Sequence, residues 1–272
     1  MQRKLLTQIF PFLIPIRRFQ RNCFFYLGMR LDKNIYAKDK IDNLLPHEVF
    51  NTKITLINEN TGHDIKYQNN KVFNVKLASN TINKVLIKPG ETFSFWQLVR
   101  TAEKNEKYKD GLCLTNGKII AKHGGGLCLI SDLLFLLFLH SPLTIIERHD
   151  HASKDFPSSD NSLEGVDATI TEGWLDLKVK NETDDTFQIV LNFDEKYEYA
   201  CLLSKNKPTC YYKIINRNLR YYRKTGNIYQ VVDVIKQKFD TKTNNIVSEE
   251  KLYTNTLKIL YKLPETVVVE EV

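Results

Sequence analysis

No stretch of this 272-residue chain approaches the roughly 18 to 20 consecutive apolar residues needed to cross a bilayer. The longest apolar run, Leu133 to Leu139 with its flanks, reads as a buried helix instead. Paired cysteines are missing too: Cys23, Cys113, Cys128, Cys201 and Cys210 are odd in number and widely spread. None stands at the two-residue separation of a zinc knuckle or redox motif, so reduced thiols in a cytoplasmic setting are expected. Acids are absent from the first thirty residues, where Arg3, Lys4, Arg17, Arg18, Arg21 and Arg30 supply six of the seven net positive charges. The body that follows is nearly neutral, so the charge belongs to an arm and no nucleic-acid partner is expected. There are no internal repeats and no low-complexity tracts. What is there, 42% hydrophobic and 26% charged residues, is the composition of a folded globular protein.

The apolar run Ile9 to Ile16 is interrupted by two prolines, is followed by Arg17 and Arg18, and lacks a clear small-residue cleavage site. It is therefore not read as a secretion signal. Arg17 to Arg30 mixes basic residues with Phe19, Phe24, Phe25, Tyr26 and Leu27. That pattern suits a helix in peripheral contact with the anionic inner face of a membrane, and equally a helix that packs its apolar side on the protein's own core.

The expected fold class is α+β, in three parts. Residues 1–80 form a helical to irregular basic arm, residues 81–195 a core, and residues 196–272 a β-rich extension. In the core, Val85-Leu86-Ile87 before Pro89-Gly90 reads as a strand entering a turn. Asn116-Gly117 predicts a hairpin between Leu112-Cys113-Leu114 and Ile119-Ile120-Ala121, delivering the chain to His123-Gly124-Gly125-Gly126. One buried helix follows this Gly-rich turn, from about Cys128 to His140, and Pro142 stops it. Strands are expected over Leu143–His151, Asp167–Thr171, Trp174–Lys180 and Thr186–Phe193, giving a central mixed sheet. Beyond them, 210–263 alternates polar and apolar residues as a β-meander does.

Chemistry concentrates around Cys128. It follows three glycines at the start of a helix, where unpaired amides and the helix dipole favour negative charge, the condition under which a thiol becomes nucleophilic. Gly124, Gly125 and Gly126 let the backbone approach a ligand, and the amides beside them can receive an oxyanion. Period-two spacing places Glu147, His149 and His151 on one strand face and Arg148 on the other. The order Cys128, His151 or His149, then Asp167 matches that of papain-like and transglutaminase-like acyl-transfer sites: nucleophile, general base and orienting carboxylate. Ser94, Trp96 and Arg148 are candidates for contacting substrate. Two alternatives stay open. His149, His151, Cys128 and His123 have the donor types of a zinc site, although no cofactor is favoured. The glycine-rich helix start, with Lys122 nearby, instead suits a pyrophosphate-like anion, although it is not a P-loop because no Gly-Lys-Ser/Thr follows.

Three segments in order, Lys88-Pro89-Gly90-Glu91-Thr92-Phe93-Ser94-Phe95-Trp96, Gly124-Gly125-Gly126-Leu127-Cys128 and Glu147-Arg148-His149-Asp150-His151, resemble the VanW family. The likeness is most specific over residues 85–190. It implies a setting in cell-wall metabolism or glycopeptide resistance, with an amide or ester of a peptidoglycan precursor as substrate, but no established reaction. The sequence departs from the family pattern at two places: Leu129 stands where members usually have Gln, and Asp132 follows Ser131 where Thr or Asn is usual.

Overall fold

The computed structural model describes residues 10–58, 62–115, 118–154, 157 and 163–271. Its core forms around the most apolar segment of the chain. Helix α4 (Cys128–Leu139) is apolar except at Ser131 and Asp132, and a helix of that kind is stable only when surrounded. Ile130, Leu133, Leu134, Phe135, Leu137 and Phe138 are accordingly buried. The helix stops at His140, whose ring stacks on Phe50 at 3.9 Å, just before Pro142.

Two four-stranded sheets enclose α4. In the first, β2 (His47–Thr55), β11 (Tyr197–Ser204), β10 (Phe187–Phe193) and β3 (Leu86–Ile87) lie side by side, all antiparallel. The second has the order β1 (Ile35–Tyr36), β4 (Glu91–Ser94), β9 (Lys178–Lys180), β7 (Thr144–Glu147), with β1 and β4 parallel. Helix α2 (Lys66–Ile82) buries Val75, Ala78 and Ile82 in the same core. The hairpin β5 (Asp110–Thr115) and β6 (Lys118–His123) pairs Asp110 with His123 and Thr115 with Lys118. This is the register expected from Asn116-Gly117, although that dipeptide lies outside the described residues. A third sheet carries the meander β12 (Cys210–Lys224), β13 (Asn227–Asp240) and β14 (Ile246–Ile259). Its edges are β15 (Val269–Glu271) and β8 (Ser153–Lys154), both added in parallel.

The architecture is α+β, as expected. The pairings cross both divisions anticipated at 80 and 195, because β2 pairs with β11 and β1 with β4. Three expected strands are shorter or absent. The one over Leu143–His151 ends at Glu147, after a bulge between Ile145 and Glu147. Of Trp174–Lys180 only Lys178–Lys180 pairs as a strand, and Asp167–Thr171 forms none. Polar contacts to α4 and to residues 149–151 hold that last stretch, so its backbone groups are satisfied without a ladder.

Helix α1 (Ile14–Leu31) lies outside these layers. It touches the body through Asn22, Phe25, Tyr26 and the buried Met29, while its other side is exposed. No helix among the described residues is long and apolar enough to cross a membrane.

Candidate active site

The start of α4 is fixed before any side chain is oriented. Buried Asn74 of α2 donates to the carbonyls of Lys109 (2.8 Å) and Gly125 (3.0 Å) and accepts from the Lys109 amide (2.7 Å). This ties the hairpin to the glycine turn. At Gly125 a Cβ would collide with the Gly111 carbonyl, so this glycine serves the contact between the two backbones and not a ligand. Gly126 has a φ of +93°, which glycine adopts without strain. Leu127 takes the N-cap position and offers no side-chain acceptor, leaving the first turn of α4 uncapped at Cys128.

Across from this turn, residues 167–169 are clamped. Buried Ser131 donates to the Ala168 carbonyl at 2.6 Å, and Asp132 accepts from the Ala168 amide at 2.7 Å. The Thr169 amide donates to the His149 carbonyl at 2.8 Å, and its hydroxyl lies 3.8 Å from the Cys128 Sγ. Asp167 thereby faces His151, whose amide and ring Nδ1 each approach Oδ2 at 2.7 Å. Arg148 grips the same residue from behind: Nη2 donates to Oδ1 at 2.8 Å and Nε to the carbonyl at 2.7 Å. Its guanidinium lies over the rings of Phe135 and Tyr253. Burial disfavours a charged His151, but the hydrogen bonds to Asp167 and Cys128 outweigh it and push the ring up to about 11. Burial likewise disfavours an ionised Asp167, yet His151 and Arg148 hold the carboxyl below the usual range. The structure therefore brings Cys128, His151 and Asp167 together.

His149 goes elsewhere. Because the chain leaves the sheet after Glu147, the period-two rule stops applying, and the two imidazoles do not share a face. The His149 Nε2 meets the Glu147 Oε1 at 3.0 Å, and the Glu147 Oε2 pairs with Lys178 at 2.9 Å. The Asp176 amide donates to the same Glu147 Oε1 at 3.0 Å, and Ser94 donates to the Asp176 carboxyl at 2.6 Å. Ser94 is sealed in the interior, where it caps the short helix α3 (Phe95–Val99), and it does not line a cleft. Arg148, another candidate for touching substrate, is spent on Asp167.

A cleft of about 180 Å³ opens onto Cys128, with Arg18, Arg21, Trp96, Tyr108 and Lys122 among its walls. Gly124 and Gly126 also line it, whereas Gly125 does not. The Tyr108 hydroxyl is buried there without a partner. Cys113 shares the cleft, and burial pushes its thiol up. A larger cavity, about 910 Å³, lies behind Arg148 between β7 and the meander and does not reach the sulfur. The imidazoles of the zinc alternative are dispersed: His149 on Glu147, His151 on Asp167, and His123 on Glu103 at 2.8 Å. Among the described residues, no three His, Cys, Asp or Glu side chains are grouped to hold a metal ion.

Asp132, Arg148 as the support of Asp167, Asn74, Thr169 and Tyr108 are additions to the residues legible in sequence. For Asp132 a signal existed, its departure from the family pattern. The others depend on long-range contacts.

Fold and site define an α+β protein with a Cys-His-Asp constellation at an uncapped helix start. The family model "VanW like protein" matches residues 70–202. The "Vancomycin B-type resistance protein VanW" of Enterococcus faecalis is 49% identical over all of this chain and 99% of its own length. The "Uncharacterized protein YoaR" of Bacillus subtilis is 29% identical over 156 residues, 56% of this chain and 47% of its own. The chain belongs to the VanW-like family. No solved structure matches.

Proposed function

We propose that this protein takes part in glycopeptide resistance as a cysteine-dependent enzyme that cleaves or transfers an acyl group of a peptidoglycan precursor. The setting rests on the name of the relative at 49% identity. One observation carries the chemistry: Asp167 holds the His151 ring beside Cys128, and Cys128 itself opens onto a cleft.

In this reading Cys128 passes its thiol proton to His151, whose ring Asp167 orients to receive it. The sulfur attacks the carbonyl carbon of an amide or ester, and amides at the first turn of α4 receive the developing oxyanion. With Leu129 in place of the usual Gln, backbone donors carry this role. Collapse of the tetrahedral adduct breaks the bond to the amine or alcohol, which leaves with the proton from His151, and a thioester remains on Cys128. Water or a second nucleophile then gives a proton to His151, attacks the thioester and frees the sulfur. His149 and Glu147 support the wall of the site and take no part in these transfers.

The test is alkylation by iodoacetamide near neutral pH, with each cysteine followed by mass spectrometry. Cys128 should react ahead of Cys113, and His151→Gln should slow it ~10-fold or more while His149→Gln leaves it unchanged. Stem-peptide precursors should be turned over by the wild type and not by Cys128→Ser. Equal alkylation of Cys128 in wild type and His151→Gln would overturn the proposal.

A second reading is favoured by Arg18, Arg21 and Lys122 around the uncapped helix start. In it the cleft binds an anionic precursor without turning it over. Binding of a pyrophosphate-bearing precursor that survives Cys128→Ala, with no turnover by the wild type, would select it.

A further inference from the structure

Helix α1 reverses the usual arrangement of a surface helix, in which the apolar stripe is turned to the core and the polar side to water. Advancing about 100° per residue, Ile16, Phe19, Phe24, Leu27 and Leu31 gather on one side. They are 62%, 72%, 63%, 47% and 76% exposed. Phe12, in the 3₁₀ turn that leads into the helix, is 71% exposed. The opposite side makes the contacts with the body. Met29 is buried, Phe25 and Tyr26 pack on the core, and the Tyr26 hydroxyl donates to Glu172 at 2.9 Å. Arg21 donates to the Glu172 carbonyl at 3.2 Å, and with Arg18 it lines the cleft at Cys128. The helix is thus anchored through its mixed side and presents its apolar side to the outside.

We propose that this outward face seats the protein on an anionic lipid surface. The charges select that occupant. Arg17 and Arg30 flank the apolar face and are exposed, and no acid precedes Asp32 in the sequence. Large apolar side chains bordered by arginines, with no carboxylate between them, complement an apolar boundary carrying negative headgroups. A second copy fits less well, because antiparallel apposition of two such faces brings Arg17 of one towards Arg30 of the other. A span is excluded by four arginines within 18 residues. The helix therefore lies in the plane of the interface, and the site sits one helix diameter, roughly 10 Å, behind it. This surface stands whether or not Cys128 turns over a substrate.

The test is co-sedimentation of the full chain with vesicles. Binding is expected to phosphatidylglycerol–phosphatidylcholine vesicles and to be ~10-fold or more weaker with phosphatidylcholine alone. Molar salt should weaken the first toward the second. Phe19→Ser with Phe24→Ser should lower the partition coefficient ~10-fold or more. Arg17→Glu with Arg30→Glu should abolish the preference for the anionic lipid. Circular dichroism and Cys128 alkylation should stay unchanged in both variants. Unaltered vesicle binding by either pair of substitutions, or no binding by the wild type, would overturn the proposal. It would equally fall if the wild type were a dimer in the absence of lipid that the phenylalanine substitutions convert to monomer, since the face would then belong to a second copy.

Discussion

Asp167 serves three partners at once: the ring and the amide of His151 on one oxygen and the Arg148 guanidinium on the other. A carboxylate so placed is stable only while its cation remains. Arg148→Met should cost ~3 kcal/mol, read from denaturant unfolding, because it leaves Asp167 charged and half-buried without its guanidinium. Asp132 gives a prediction of opposite sign. Burial pushes its carboxyl up to about 7, against which His151 and the Ala168 amide act only in part. An acid whose pKa is raised on folding binds more protons folded than unfolded between about 4 and about 7, so stability falls as pH rises through that window. Asp132→Asn keeps an acceptor for the Ala168 amide and removes the charge. The variant should melt ~3 °C or more above wild type at pH 8, with the gain shrinking as the pH falls and vanishing below about pH 4. At this scale Cys128, His151 and Asp167 were legible because their chemistry and chain order are distinctive. The separate fate of His149 was not, since it depends on where a strand stops. Nor was the part played by Arg148, whose partners are 17 to 19 residues away.

Among the elements, α4 and the meander strands were the easiest to read. A run as apolar as Leu133–Leu139 has no stable place except the interior, and long alternation such as Tyr229–Phe239 marks a sheet with one covered face. Short strands beside the site were harder, because side-chain hydrogen bonds to Ser131 and Asp132 replaced the ladder that Asp167–Thr171 would otherwise need. In the glycine turn, Gly125 serves backbone packing and not ligand approach. Gly125→Ala should destabilise the protein by ~3 kcal/mol or more, since the new methyl meets the Gly111 backbone, which cannot rotate away. A melting curve of that variant close to wild type would contradict the packing described here.

For the molecule as a whole, α+β and a terminal meander were legible in the residue pattern, while strand exchange between distant segments stayed hidden. No local pattern says that His47–Thr55 will pair with Tyr197–Ser204, because that choice depends on what covers each face. The meander is also continuous with the main core through Ile214 and Val234. Val234→Ala should therefore lower the stability of the whole chain by ~2 kcal/mol in a single transition, seen alike by far- and near-ultraviolet dichroism. Two separated transitions would show instead that the meander melts independently.

The matched family region stops at residue 202, yet the scaffolding of the His151 partner continues beyond it. Tyr253 lies over the Arg148 guanidinium and donates to the Gly165 carbonyl at 3.1 Å, while Asn216 holds both the amide and the carbonyl of Glu164. A fragment trimmed to the matched region would keep every reacting atom and lose the buttress that aims them. Recombinant pieces that end before β12 are consequently the wrong reagents for assaying this protein.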